Sequence, residues 1–247
     1  MNLPTRLLQL LVLVIGLVQG KTFANGEPAN PRTLVLATHN LCPYGCFSAG
    51  ADKTDMSQFR GIAVETVRCV LADIGWQLKL DVVPWARAQQ LAKFNAVDGF
   101  FAASHKAERD EFAHMSAIIA EQRWDWYLMA DSPLIPDSAD FKRVAKVGGF
   151  DGSNMLTWLR SNNYMVASNP PDTGKLLKVL LAKRVDAVVA NDKVMTELLV
   201  RRGVGQKVKS YPLVNKPLGV YFTHDFVAHN PGFLEQFNDH VELCRHD

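Results

Sequence analysis

One stretch of the chain, residues 97–109 (VDGFFAASHKAER), has the residue types that bind an anion. Its apolar run at residues 99–103 follows an Asp-Gly pair and predicts a buried strand. The hydroxyl of Ser104 follows at the carboxyl end, where open α/β sheets bind ligands. Arg109 can fold back and present its planar fork of donors to a carboxylate. Ser104 and Arg109 are therefore candidate anion ligands, although a strand followed by a surface arginine has the same pattern.

The elements that would position this stretch are predicted by the first third of the chain. Strand-like runs occupy residues 33–38, 78–83 and 99–103, and helical spacing of apolar residues occupies 61–75 and 87–94. Strands that alternate with helices in this way predict a parallel sheet with crossover helices.

The alternation restarts after residues 131–140, a boundary that contains two prolines. Strands are predicted at residues 144–147, 164–167, 187–190, 208–214 and 218–222, and helices at 155–161, 173–182, 192–201 and 233–243. We therefore expect an α/β fold of two similar lobes around a cleft, with crossovers at residues 124–129 and 218–222. The predicted lobe 1 comprises residues 25–127 and 220–247, and lobe 2 comprises residues 128–219.

Composition and the N-terminus indicate an exported globular protein. The chain has 27 basic and 25 acidic residues, well interspersed, so we expect no nucleic-acid partner. Arg6 precedes an apolar run at residues 7–18, and Val18-Gln19-Gly20 resembles a cleavage site, which predicts a signal peptide over residues 1–20. Cleavage after Ala24 is the alternative. The run is shorter than the roughly 20 residues that span a bilayer, so we expect a soluble exported protein.

The four cysteines, Cys42, Cys46, Cys69 and Cys244, are predicted to form disulfides. An even number of cysteines in an oxidising compartment favours disulfides, and the spacing matches no common zinc site. Three pairings are possible in principle. The turn-rich loop from Cys42 to Cys46 allows a local bridge, and a C-terminal helix that returns to lobe 1 would bring Cys244 near Cys69. We therefore predict the pairs Cys42–Cys46 and Cys69–Cys244.

The order and spacing of several short segments resemble the bacterial periplasmic solute-binding proteins of the amino-acid-binding type, family 3. These segments are FRGIAVE at 59–65, PWARA at 84–88, DG at 98–99 with ER at 108–109, GSN at 152–154, VDAVVAN at 185–191 and PLGVYF at 217–222. The resemblance covers nearly the whole mature chain. It implies a monomeric two-lobed protein without a cofactor, which closes around a small solute and delivers it to a membrane transporter or a sensor protein.

The resemblance also implies a ligand site. In the family, the arginine that matches Arg109 grips the ligand's α-carboxylate, and the residue that matches Ser104 binds nearby. Ser153 and Asn154 match a helix start in the second lobe that holds the same carboxylate, where free helix amides favour an anion. Ligand contacts are further implied for Tyr44, which follows the first strand, and for Arg87.

Asn191 departs from the family, which usually has an aspartate there to pair with the ligand's α-ammonium. A neutral amide provides a hydrogen bond without a charge, which leaves room for a carboxylate or another anionic ligand. The alternative function is an enzyme on the same scaffold, similar to cyclohexadienyl dehydratase, for which His39 and Glu121 are the candidate acid and base. Tryptophans at positions 85, 124 and 126 are predicted either to line the cleft or to fill a core.

Overall fold

The computed structural model describes residues 32–245, so the predicted signal peptide lies outside the described residues. The strands are β1 Arg32–Thr38, β2 Cys46–Phe47, β3 Phe59–Arg60, β4 Trp76–Val82, β5 Gly99–Ser104, β6 Ala113–Met115, β7 Arg123–Met129, β8 Lys146–Gly148, β9 Met165–Ser168, β10 Ala187–Asn191, β11 Val208–Asn215 and β12 Leu218–Thr223. The helices are α1 Ile62–Asp73, α2 Trp85–Lys93, α3 Ala107–Asp110, α4 Phe141–Val144, α5 Asn154–Ser161, α6 Thr173–Leu181, α7 Asp192–Arg201, α8 His224–His229 and α9 Phe233–Cys244. None of these helices is long and apolar enough to span a membrane.

The first sheet has the strand order β4-β1-β5-β12-β6. The strands β4, β1 and β5 are parallel, as the alternation of strands and helices predicts, with Leu34 opposite Leu78 and Leu36 opposite Gly99. The strand β12 comes from near the end of the chain and runs antiparallel to both β5 and β6. We call this sheet with α1, α2 and α9 the first lobe.

The second sheet has the strand order β11-β7-β10-β8-β9. Its strands β10, β8 and β9 are parallel, whereas β7 runs antiparallel to β10 and β11. We call this sheet with α5, α6 and α7 the second lobe. The two sheets give the mixed α/β, two-lobed architecture that the sequence predicts.

The chain crosses between the sheets twice. The strand β7 pairs only in the second sheet and β12 only in the first, so the crossings lie at residues 116–122 and 216–217, next to the segments predicted to cross. The crossings are hydrogen-bonded together, since the Lys216 amide donates to the Gln122 carbonyl at 2.8 Å. The predicted lobe boundaries at residues 127/128 and 219/220 stay predictions. The first falls within β7 and the second within β12.

The start of α1 packs closely against the loop that follows β1. Gly61 has φ +147°, and a Cβ atom there would lie 2.5 Å from the Pro43 carbonyl oxygen, so a larger residue does not fit. The carbonyl of Tyr44 accepts hydrogen bonds from the amides of Ala63 and Val64, which caps the first turn of the helix.

The structure contains both predicted disulfides, Cys42–Cys46 and Cys69–Cys244. The first closes the loop after β1, and the second joins α1 to α9 within the first lobe. The C-terminal helix therefore returns to the first lobe, as the predicted two-lobed arrangement requires.

Two of the differences between predicted and observed boundaries are explained by side-chain burial. The helix predicted at residues 87–94 begins at Trp85, because Trp85, Ala88 and Ala92 have helical spacing and bury one face. The strand predicted from residue 144 begins at Lys146, because the buried side chain of Phe141 anchors the short helix α4 before it.

Candidate functional site

Arg109 is brought back toward the end of β5 by the short helix α3. Every residue of β5 is buried, and the strand ends at Ser104. The Arg109 side chain folds back so that its Nη1 donates to the Ser104 carbonyl at 2.6 Å. Its Nε and Nη2 both donate to Oε1 of Gln89, at 3.1 and 2.9 Å. The sequence therefore predicts correctly that this arginine returns to the carboxyl end of the strand.

Aromatic rings surround the Arg109 guanidinium. Its Cζ lies 5.2 Å from the centre of the Trp85 ring, 5.7 Å from Phe100 and 5.8 Å from Tyr221. The residue is only 3% exposed. Burial lowers the pKa of Arg109 to about 10, which still leaves the side chain protonated at neutral pH. The result is a buried cation whose hydrogen bonds go to neutral oxygens.

A cavity of about 30 Å³ lies beside this guanidinium, between the two lobes. It has room for about two or three waters, since one water needs about 10–15 Å³. Its lining comes from strands, helices and loops of both lobes and from the crossing at residues 116–122. The lining residues are His39, Leu41, Trp85, Ala102, Ser104, Arg109, Gln122, Trp124, Phe150, Ser153, Asn154, Met155, Asn191 and Leu218.

The second lobe contributes the start of α5. The Ser153 hydroxyl accepts from the Leu156 amide at 3.0 Å and donates to the Phe150 carbonyl at 2.6 Å, so it caps the helix. Asn154 reaches across to the first lobe, where its Nδ2 donates to Oγ of Ser104 at 2.8 Å. These contacts hold the two lobes together at the edge of the cavity.

Buried polar atoms without a hydrogen-bond partner in residues 32–245 are concentrated at this cavity. They include three amide oxygens, both ring nitrogens of one histidine and an indole nitrogen. These atoms are Oε1 of Gln122, Oδ1 of Asn154, Oδ1 of Asn191, Nδ1 and Nε2 of His39, and Nε1 of Trp124. An unpaired buried polar group costs about 1–3 kcal/mol. A polar ligand that forms hydrogen bonds with these atoms would remove this cost, so the atoms mark a candidate ligand site.

His39 lines the cavity as a neutral imidazole. Burial and the nearby Arg109 charge lower its pKa to about 3, and its ring lies 4.5 Å from that of Trp85. Glu121, the second acid–base candidate, does not line the cavity. Its half-exposed side chain lies 3.8 Å from Arg245.

The structure brings five of the predicted ligand contacts together and leaves two elsewhere. Those that line the cavity are Ser104, Arg109, Ser153, Asn154 and Asn191. Arg87 is exposed on the outer face of α2, and Tyr44 is buried in the first lobe, where its hydroxyl donates to the Glu121 carbonyl at 2.9 Å. Neither Arg87 nor Tyr44 therefore reaches the cavity in this structure. Their contacts with a ligand stay predictions.

Sequence reasoning missed two glutamines of the site. Gln89 orients Arg109, and Gln122 lines the cavity while its Nε2 donates to the Lys216 carbonyl at 2.9 Å. Gln89 follows Trp85 by four residues, so helical spacing could have placed it on the same face. Gln122 lies in a crossing without periodicity, and no sequence signal identifies it. Trp85 and Trp124 line the cavity, whereas Trp126 packs in a core with Phe141 and Tyr164.

Comparisons with known proteins give no match at the level of sequence families. No protein-family model matches the chain, and no curated protein matches it.

Solved structures match the fold over most of the chain. The ligand-binding core of GluR0 from Nostoc punctiforme, in complex with L-glutamate, has a TM-score of 0.69 and 22% identity and covers 85% of this chain and 92% of its own. A histidine kinase sensor domain with similarity to periplasmic binding proteins has a TM-score of 0.74 and 16% identity. It covers 87% of this chain and 91% of its own.

A third similar structure is a substrate-binding protein of an ABC uptake transporter from Streptococcus pneumoniae with bound histidine. It has a TM-score of 0.72 and 13% identity and covers 85% of this chain and 86% of its own. The chain thus has the two-lobed fold of the periplasmic binding proteins, and the resemblance to family 3 solute-binding proteins is confirmed at the level of the fold.

Proposed function

We propose that this protein binds a small solute through a carboxylate, with Arg109 as the principal anion ligand. One observation carries the proposal: a buried arginine whose hydrogen bonds go to neutral oxygens borders an interlobe cavity with several unpartnered polar atoms. A carboxylate would supply the missing counter-charge, and the planar guanidinium suits it geometrically. Ser104, Ser153, Asn154 and Asn191 complete the proposed contacts.

The position of the cavity supports closure of the lobes around the ligand. A ligand between the lobes contacts both of them only when they are closed, and this difference in contacts shifts the balance toward the closed form. The hydrogen bond from Asn154 to Ser104 already joins the lobes at this edge. The ligand therefore adds to an existing interlobe contact.

We place the mature protein in the periplasm as a monomer that delivers its solute to a membrane transporter or a sensor protein. The apolar run before a cleavage-like site supports export. The similar structures include a substrate-binding protein of an ABC uptake transporter and a histidine kinase sensor domain, which supports both kinds of partner.

Binding is favoured over catalysis by the chemistry of the two acid–base candidates. A general base works best with a pKa near the working pH, and His39 has a pKa of about 3. Glu121 is half-exposed and does not line the cavity. We therefore expect no turnover of a prephenate-like acid by the purified protein, and measurable turnover would favour the dehydratase-like alternative.

The test of the proposed site is a ligand screen followed by calorimetry on variants. Amino acids, small carboxylates and polyamines are screened by thermal shift, and the ligands that bind are titrated into the wild type and Arg109→Ala. Loss of one partner of a buried charge pair costs about 2–5 kcal/mol, so affinity falls at least about 30-fold. Arg109→Lys rescues only part of the loss because an ammonium lacks the bidentate fork.

The matched control is Arg184→Ala, which removes an exposed arginine outside the cavity and should leave affinity unchanged. Near-native affinity in Arg109→Ala, with the variant folded by its melting temperature, would contradict the proposed role of Arg109.

A further inference from the structure

The charge of the cavity lining is unbalanced. Among the described residues that line the cavity, Arg109 carries the only formal charge, since His39 is neutral and no carboxylate is present. The guanidinium donates to the side-chain oxygen of Gln89 and the carbonyl of Ser104, neither of which is charged. The lining therefore has a net positive charge, which a ligand with one net negative charge would neutralise.

The carboxylates that neighbour the cavity residues Asn191 and Trp124 along the chain point away from the cavity. Asp192 follows Asn191 directly, but its Oδ1 accepts from the Arg123 amide at 3.1 Å, and it lines a different surface pocket. That pocket also contains Asp125, which Arg123 holds through hydrogen bonds of 2.6 and 2.9 Å. Neither carboxylate contributes a contact inside the cavity.

Hydrogen-bond acceptors predominate among the unpartnered amide atoms at the cavity. Gln122 and Asn154 donate through their amide nitrogens to the Lys216 carbonyl and to Ser104, which directs Oε1 and Oδ1 as free acceptors. Oδ1 of Asn191 is a third free acceptor. A ligand group that pairs with any of these oxygens must donate an O–H or N–H, because the carboxylate itself can only accept.

A hydroxyl and an ammonium can both donate to these oxygens, but they differ in charge. The carboxylate of a zwitterionic amino acid would neutralise Arg109 and leave its ammonium buried among neutral amides. A buried ammonium without a counter-charge is strongly disfavoured, whereas a hydroxyl that forms hydrogen bonds is readily buried. The space beside Arg109, with room for about two or three waters, fits the carboxylate and α-substituent of a small acid.

We propose that the cavity selects a small hydroxy carboxylate over the amino acid of the same shape, and that Asn191 determines this preference. The inference rests on the proposed function, since it assigns a ligand class to the same site. The carboxylate binds Arg109, and the single O–H of the hydroxyl donates to Oδ1 of Asn191.

The test uses ligand pairs that differ only in a hydroxyl or an ammonium: glycolate with glycine, L-lactate with L-alanine, and glycerate with serine. We expect calorimetry on the wild type to show at least tenfold tighter binding of the hydroxy acid in at least one pair. Asn191→Asp adds a negative charge to the cavity. It should therefore weaken binding of the hydroxy acid at least tenfold and strengthen binding of the amino acid.

The control is Asn163→Asp, the same change at an exposed residue of the second lobe outside the cavity. This variant should bind both ligands of each pair with the affinity of the wild type.

Tighter binding of the amino acids by the wild type would overturn the inference and leave the solute-binding function intact. Binding of neither member of any pair would also overturn it, and the broad ligand screen then decides separately whether the proposed function survives. If Asn191→Asp does not fold, the comparison within pairs on the wild type is decisive by itself.

Discussion

His39 shows how strongly the cavity changes the chemistry of a single side chain. Its pKa of about 3 in the folded protein lies below the value of 6.5 for a free histidine, mainly because it is buried. Between these values the unfolded chain binds one more proton than the folded protein. His39 should therefore contribute most to the free energy of unfolding above pH 6.5, and this contribution should fall by up to about 1.4 kcal/mol per pH unit as the pH decreases toward 3.

Urea unfolding at pH 4.5 and 6.5 measures this loss, and His39→Gln should remove most of the contribution because glutamine does not titrate. The control His229→Gln changes an exposed histidine and should keep the wild-type pH dependence. If the free energy of unfolding depended equally on pH in the wild type and in His39→Gln, this result would contradict a buried neutral His39.

At the scale of elements, the site depends on how α2 presents one face to the end of β5. Gln89 lies one turn after the buried Trp85, and its Oε1 accepts two hydrogen bonds from Arg109. Hydrogen bonds to charged groups contribute about 1.5–3 kcal/mol, so Gln89→Met should allow the guanidinium to move. We expect about tenfold weaker binding by calorimetry, a loss of about 1.4 kcal/mol.

The control for this positioning role is Gln90→Met, the same change at the next residue of α2, which is exposed. It should bind the ligand as the wild type does. Gln89→Glu keeps the acceptor but adds a negative charge beside Arg109, so it should also weaken carboxylate binding, whereas unchanged affinity in Gln89→Met would exclude the positioning role.

A bulge in β5 contributes to the same geometry. The pairing with β12 shifts between Gly219 and Val220, and Ala102 adopts φ +60° on the opposite strand. This conformation is unfavourable for a residue with a Cβ atom, and bulges of this kind redirect side chains next to functional sites. Ala102 lines the cavity, so the bulge lies directly at the proposed ligand site.

At the scale of the whole molecule, both ends of the described chain build the first lobe. The disulfide Cys69–Cys244 joins residues 175 apart, whereas Cys42–Cys46 joins residues 4 apart. In the chain-entropy account, a longer closed loop restricts the unfolded chain more. We expect Cys69→Ala with Cys244→Ala to lower the free energy of unfolding by about 5 kcal/mol, and Cys42→Ala with Cys46→Ala by about 2 kcal/mol.

Urea unfolding of the two double variants at one pH measures this difference, and each serves as the control for the other. Equal losses would show that local packing, rather than the unfolded chain, determines the contribution of the disulfides.

Much of the fold could be predicted because its elements are encoded locally. Apolar periodicity and turn residues predict β5 and α7 nearly residue by residue, and α7 matches its predicted range of residues 192–201. The return of the C-terminal helix to the first lobe follows from the two-lobed pattern, and the disulfide Cys69–Cys244 is present as predicted. Arg109 could be named as a candidate because it follows a strand end by five residues and because it matches the ligand-binding arginine of the family that the sequence resembles.

The tertiary structure alone decided which side chains share the cavity. Arg87 and Gln89 are both on α2, and the packing of Trp85 against the first lobe decides that Gln89 faces Arg109 while Arg87 faces outward. Gln122 lies in a crossing, where the chain has no period from which a direction could be predicted. The sequence by itself therefore determined the elements, because these depend on local pattern, whereas the burial of Arg109 required the structure. The polar lining required the structure, because it depends on how two separately formed lobes meet.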